Sequence, residues 1–220
     1  MLLKFIPYGI NQAVQLFQIH STHPQHRLIQ KAVVIIQQGG VIAYPTDSAY
    51  ALGCHIGDKQ ALERIRSIRK VDKHHNFTLV VRDLSEISIY AKVDNPTYRL
   101  LKACTPGAYT FILKGTRDVP KRLLHPKRKT IGLRVPDNII VQSLLTELSE
   151  PLMSSTLILA EQTKPLTEAD DICEVLSNYV DLVIDGGHCG IEPTTVVDFT
   201  HEYPAIVRQG KGDTACFNLN

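Results

Sequence analysis

No stretch of about 18 or more apolar residues occurs in this 220-residue chain, which by the length criterion excludes a membrane-spanning helix. Met1 to Tyr8 is too short and too poorly formed for a secretory signal, so a soluble, cytoplasmic protein is expected. The five cysteines (Cys54, Cys104, Cys173, Cys189 and Cys216) are odd in number, scattered and without a CxxC pair, which fits reduced buried thiols better than a disulfide framework. The neighbours Cys54 and His55, His74 and His75, and His188 and Cys189 have no second pair at ligand spacing, so protein motifs supply no metal site. Neither GxxxxGK nor GxGxxG is present, which leaves no conventional phosphate loop or dinucleotide fold. Linkers, repeats and low-complexity tracts are missing too. One domain over residues 1–220 is expected, and 44% apolar residues suffice for a substantial core.

What the chain does have is segregated charge. Its formal net charge is only +2, yet six Lys or Arg fall between Arg64 and Arg82, and eight more between Lys114 and Arg134. From Glu147 to Glu202 there are twelve acids and the single cation Lys164. Basic stretches of this kind suit a phosphate or nucleic-acid footprint, because Lys and Arg displace counterions from a polyanion; they equally suit two solvated surface segments.

Helix and strand signals alternate. Apolar periodicity predicts a helix over Pro24–Gln38, stopped by Gly39 and Gly40, then a strand Val41–Tyr44. Asp58 can cap a helix carrying Leu62, Ile65 and Ile68, followed by a basic loop and a strand Thr78–Val81. Helices are expected near Leu84–Ala91, Pro96–Cys104, Val141–Leu148 and Glu168–Asn178. Strands are expected at Tyr109–Lys114, Ile131–Val135, Leu152–Leu159, Leu182–Ile184, Thr195–Phe199 and Ala205–Val207. The last three follow one another without a helix, so an α/β fold with a mixed sheet is expected in place of a strictly parallel one.

Polar groups gather where these strands end. In VIAYPTDSAYALG, proline ends an apolar run and presents Thr46, Asp47 and Ser48, which read as a binding edge or as an ordinary turn with local hydrogen bonds. Lys70 to Asn76, Thr130 with Arg134, Ser154 to Thr156, and Thr194–Thr195 followed by Arg208 complete the set. Arg134 stands alone as a cation inside an apolar strand pattern, which favours a site or a buried pair over surface. Asp185 with Gly186 and Gly187 reads as a strand-ending turn.

The order and wording of GGVIAYPTDSAYALG, the basic loop before NFTLVV, PGAYTFILK, TIGLRVPDN, EPLMSST, DGGHCGIEPTTVVDFT and AIVRQGKGD resemble the YrdC/YciO family, whose best-known members are threonylcarbamoyl-AMP synthases. The resemblance runs from about Leu28 to Asp213, and HNFTLVVRDLSE with HPKRKTIGLRVP is closest to the YciO branch. It implies a single YrdC-like domain: a twisted mixed sheet flanked by helices, with a concave basic cleft first noted for affinity to double-stranded RNA. It implies, too, a reaction in which threonine, bicarbonate and ATP, with Mg²⁺, give threonylcarbamoyl-AMP and pyrophosphate for tRNA modification. Carried over by position, Thr46, Arg134 and Thr194 would bind threonine, while Lys70, Thr130, Thr156 and Arg208 would bind nucleotide. A guanidinium fork suits carboxylate or phosphate, and Lys acts as a point charge.

Three positions depart from the synthase pattern. Asp72 stands where a Lys-x-Arg arginine is expected, Ile158 replaces the asparagine of Ser-x-Asn, and Val81 falls at a site histidine. Losing one preorganised donor typically costs on the order of a hundredfold in rate, so weak or altered activity is expected unless Lys73, His74, His75 or Arg82 substitutes. The rival expectation is a non-catalytic protein that binds tRNA or other structured RNA through Lys121, Arg122, Lys127, Arg128 and Lys129. Hydrolysis of an acyl-adenylate in place of its synthesis is a third possibility that the sequence leaves open.

Overall fold

A computed structural model describes residues 13–72 and 75–217, the Cys216 side chain apart; the readings made on Met1–Tyr8, Lys73, His74 and the Cys216 thiol lie outside it. In chain order the elements are β1 (Gln15–Gln18), α1 (His26–Gln37), β2 (Ile42–Tyr44), β3 (Ala51–His55), α2 (Lys59–Arg69), β4 (Thr78–Val80), α3 (Leu84–Tyr90), α4 (Asn95–Cys104), β5 (Tyr109–Lys114), β6 (Thr130–Arg134), α5 (Ile139–Leu148), β7 (Leu152–Thr156), α6 (Ala169–Leu176), β8 (Leu182–Asp185), β9 (Thr195–Asp198) and β10 (Ala205–Arg208). A one-turn 3-10 helix, Lys121–Leu123, precedes β6.

The caps explain several boundaries. Asp58 accepts from the Ala61 amide to start α2, Asp94 accepts from Thr97 for α4, and Asn138 accepts from Val141 for α5. Three strands differ from expectation: β7 stops at Thr156 instead of Leu159, and β3 and β1 carry no strand reading in the sequence. β3 is an almost wholly buried run, so the alternation that marks a half-buried strand is missing. β1 is a largely exposed edge strand whose register is set by parallel pairing with β8.

The ten strands form one sheet in the order β1-β8-β2-β3-β7-β4-β6-β5-β9-β10. It is mixed: β1 and β2 lie parallel to β8, β4 to β6 and β5 to β9, while β3, β7 and β10 pair antiparallel with their neighbours. Because side chains alternate, each strand feeds two layers. The larger core lies on one face, where Leu52, Leu79, Met153, Leu133, Phe111 and Val197 meet α2, α3, α4 and α6. Fully burying a side chain such as Phe111 or Leu133 contributes about 1.5–3 kcal/mol. On the opposite face α1 and α5 cover Ile42, Tyr44, Leu182 and Ile184. That smaller core contains, among the described residues, no side chain of β5, β6 or β9. Among the described residues no helix covers the second face of those strands, and Thr78, Thr110, Thr130 and Arg134 collect there.

Candidate functional site

Alternation along β6 places Thr130, Gly132 and Arg134 on the open face, with Ile131 and Leu133 turned into the larger core. Neighbouring strands add Thr78, Thr110, Ile112, Ser154 and Thr156 to the same surface. Gly132 forms its floor: a Cβ there would stand 3.1 Å from the Thr78 hydroxyl and 3.3 Å from the Thr110 methyl. Thr130 and Arg134 lie four residues apart on one strand, so about 13 Å separates the two ends of the face.

At one end Arg134 is nine-tenths buried. Its Nη2 donates to Asp47 Oδ1, to Ser48 Oγ at 3.0 Å and to Thr46 Oγ1 at 3.3 Å, while the buried Nε–H has no acceptor. Asp47 Oδ2 accepts from the Asp137 amide at 2.9 Å, and Lys211 Nζ donates to the Asp47 carbonyl at 2.5 Å. Thr46 Oγ1 donates to the Ala49 carbonyl at 2.6 Å, so its proton is held within its own turn. Thr194 Oγ1 lies 2.9 Å from Thr110 Oγ1, and the Arg208 guanidinium donates twice to the Thr194 carbonyl, at 2.9 and 3.1 Å. Burial holds Arg208 below the ordinary arginine range. Underneath, Tyr44 is fully buried, with its hydroxyl 2.6 Å from Ser154 Oγ; burial pushes its pKa up to about 12. This leaves a desolvated guanidinium N–H without an acceptor beside the hydroxyls of Thr46 and Ser48, and a guanidinium donor is of the kind that suits a carboxylate.

At the other end the face holds Thr130, Thr156 and Lys114, with Lys70 on the loop beyond. Lys70 takes a left-handed backbone (φ 48°) where α2 ends, and its exposed ammonium lies 3.6 Å from Glu161. Behind β7, Arg69 Nη1 reaches Ser155 Oγ and lies 3.0 Å from His75 Nε2. Burial first, then Arg69 and Arg66, push His75 down to about 4, so the ring is neutral. Among the residues named as replacements for the missing donors, His75 is engaged there, while Arg82 pairs with Asp83 at 3.3 Å and Glu86 at 3.4 Å. Val81 is buried and Ile158 half-buried, so neither position brings a polar group.

Of the five cations read as RNA contacts, all are exposed. Lys121, Lys127 and Lys129 carry no ion pair among the described residues, Arg122 donates to the Ile56 and Gly57 carbonyls at 2.9 and 2.5 Å, and Arg128 lies 3.5 Å from Asp198. The pairing of Asp47 with Arg134 and the roles of Thr110, Gly132, Asp198 and Lys211 were not read from the sequence. Each depends on a partner distant in the chain, as with Asp47 and Arg134, 87 positions apart. Among the described residues, no group of three or more His, Cys, Asp or Glu is placed to hold a metal ion, and no helix is long and apolar enough to cross a membrane.

The family described as Telomere recombination, which takes in Sua5, YciO and YrdC, matches residues 34–210. The chain belongs to the Sua5/YciO/YrdC family. It is 55% identical to YciO of Escherichia coli K12 over 203 residues, 92% of this chain and 98% of that one. The E. coli YciO crystal structure superposes with a TM-score of 0.90, covering 93% of this chain and 99% of the other. More distant is a threonylcarbamoyl-AMP synthase of Vibrio vulnificus, 27% identical over 161 residues, 72% of this chain and 86% of its own. Pyrococcus abyssi Sua5 complexed with L-threonine shares the fold at a TM-score of 0.81 and 23% identity, covering 89% of this chain and 57% of Sua5. The expected mixed α/β sheet is thus the fold that the YciO and Sua5 structures share.

Proposed function

We propose that the open face is a cleft for L-threonine at the Arg134 end and for ATP at the Thr130 end, with threonylcarbamoyl-AMP synthase-type chemistry that is weak or altered. One observation carries the reading: Arg134, nine-tenths buried, keeps an unpartnered Nε–H beside the hydroxyls of Thr46 and Ser48. A ligand carboxylate satisfies that donor and adds a second counter-charge. The about 13 Å along β6 suits an amino acid joined end to end with an adenylate. In the reaction the threonine amine and bicarbonate form a carbamate with loss of water. A carbamate oxygen then attacks the α-phosphorus of ATP and pyrophosphate leaves.

Arg134 and Thr194 orient threonine in this scheme, and Lys70, Thr130 and Thr156 face the nucleotide, while Arg208, carried over by position as a nucleotide contact, is held on the Thr194 carbonyl at the threonine end. Mg²⁺ enters with the triphosphate, whose oxygens suit a hard divalent cation. Asp72 and Ile158 leave the nucleotide end short of donors, and Val81, buried beside Arg134, brings none at the other end, which is why a low rate is expected. The test is threonine- and bicarbonate-dependent pyrophosphate release from ATP, beside Arg134→Ala. Turnover that needs all three substrates and is lost in the variant supports the reading.

A second reading keeps the cleft without the chemistry. The unpaired, exposed Lys121, Lys127 and Lys129 favour structured RNA, and tRNA is the candidate nearest to the synthase relatives. No turnover, with RNA affinity that falls steeply with salt and weakens stepwise as those lysines are neutralised, puts this reading first.

A further inference from the structure

One cation at the nucleotide end crosses the open face. Arg128 lies two residues before β6, yet its Nη1 stands 3.5 Å from Oδ2 of Asp198 on β9. β5 runs between, with Ile112 paired to Gly132 on one side and to Asp198 on the other. The Arg128 side chain therefore reaches past β5 to β9, two strand spacings or about 10 Å from β6. Asp198 is anchored independently: its side chain is 4% exposed, and Oδ1 accepts from the Thr200 amide at 2.9 Å and hydroxyl at 2.7 Å. Oδ2 is left for Arg128, with His201 Nε2 at 3.9 Å. Arg128 itself is half exposed, and among the described residues its guanidinium makes no other hydrogen bond. Lys114, paired with Thr130 and exposed, stands at the same end.

We propose that Arg128 is a nucleotide-phosphate contact, held over the cleft by Asp198 as its positioning residue, and that it supplies the guanidinium that Asp72 denies the basic loop. This rests on the nucleotide reading above. A long, single-point pair leaves most of the guanidinium fork available, and a triphosphate offers it bidentate partners. The alternative is a staple that merely fixes the loop before β6. The two differ in what they ask of the ligand, because a staple makes no distinction between ATP and adenosine.

The test is calorimetric titration of ATP and of adenosine into the wild type, Arg128→Gln, Arg128→Lys, Asp198→Asn and the Arg128→Gln/Asp198→Asn double variant. Arg128→Gln should weaken ATP about tenfold to a hundredfold while leaving adenosine unchanged, as expected for a charge-assisted contact to phosphate. Arg128→Lys should recover part of the loss. Asp198→Asn should weaken ATP less, and should add nothing in the Arg128→Gln background. Wild type that binds ATP with Arg128→Gln within about twofold, or equal losses for ATP and adenosine, overturns the proposal and leaves the nucleotide reading intact. Wild type that binds no ATP overturns both.

Discussion

Asp47→Asn tests how the cleft keeps a cation buried without ligand. The Arg134 and Asp47 side chains are 9% and 10% exposed, and among the described residues Asp47 is the carboxylate against the guanidinium. Breaking one partner of such a pair leaves a buried charge without compensation and costs about 3–5 kcal/mol. The amide still accepts a hydrogen bond through its oxygen, so the lower part of that range applies. In a chain of this size each kcal/mol lowers the unfolding midpoint by about 2–4 °C, so a fall of about 6–12 °C is expected from a loss of about 3 kcal/mol. The assay is thermal unfolding followed by circular dichroism at neutral pH, with and without L-threonine. A bound carboxylate resupplies the counter-charge, and ligand at a hundred times its dissociation constant adds about 2.7 kcal/mol, so threonine should recover most of the midpoint. Arg134→Met removes the charge that needs compensation, and adding Asp47→Asn to it should cost less than the two single losses summed. A midpoint for Asp47→Asn within about 2 °C of wild type, unmoved by threonine, refutes the view of Arg134 as a buried clamp with a place for a ligand carboxylate.

Other consequences follow from the same contacts. Tyr44→Phe leaves Ser154 Oγ without its partner and should cost about 1–3 kcal/mol in chemical denaturation. Because burial raises Tyr44 from 10.0 to about 12, its contribution is complete below pH 10 and is lost as pH rises from there through 12. Stability of the wild type should fall over that window more steeply than that of Tyr44→Phe. His75 shows the opposite sign: lowered from 6.5 to about 4, it contributes stability above pH 6.5 that is lost as pH falls through 4. In a pH series of unfolding midpoints, His75→Gln should flatten that acid limb, and an unchanged slope removes His75 from the account. Gly132→Ala puts a methyl group 3.1 Å from Thr78 Oγ1 on the cleft floor, so ligand affinity by titration should drop by about tenfold or more, while overpacking at an open face should cost at most about 1 kcal/mol.

What the sequence made legible was what local chemistry decides. Asp58 marks the start of α2 through a one-turn hydrogen bond, and Tyr109–Lys114 alternates between open face and core over its full length, whereas the caps Asp94 and Asn138 emerged only in the structure. Arg134 stood out because a lone cation in an apolar strand needs a partner or a ligand. The identity of that partner was not legible, since Asp47 read as part of a binding edge or an ordinary turn and lies 87 positions away. The same holds for Arg128 and Asp198, joined across a strand that separates them, and for Lys211, whose ammonium reaches the Asp47 carbonyl from the end of the chain. β1 and β3 were missed because an exposed edge and a wholly buried run both lack the period-two pattern. The open face itself came from sheet order, which places β6, β5 and β9 beyond the reach of α1 and α5.

The most direct measurement is calorimetric titration of L-threonine against L-threoninol, which has a hydroxymethyl group in place of the carboxylate. The account predicts saturable binding of threonine, at least about tenfold weaker binding of threoninol, and loss of that preference in Arg134→Gln. Equal binding of the two compounds, or a preference for threonine that survives Arg134→Gln, would contradict the assignment of Arg134 as the carboxylate clamp of the cleft.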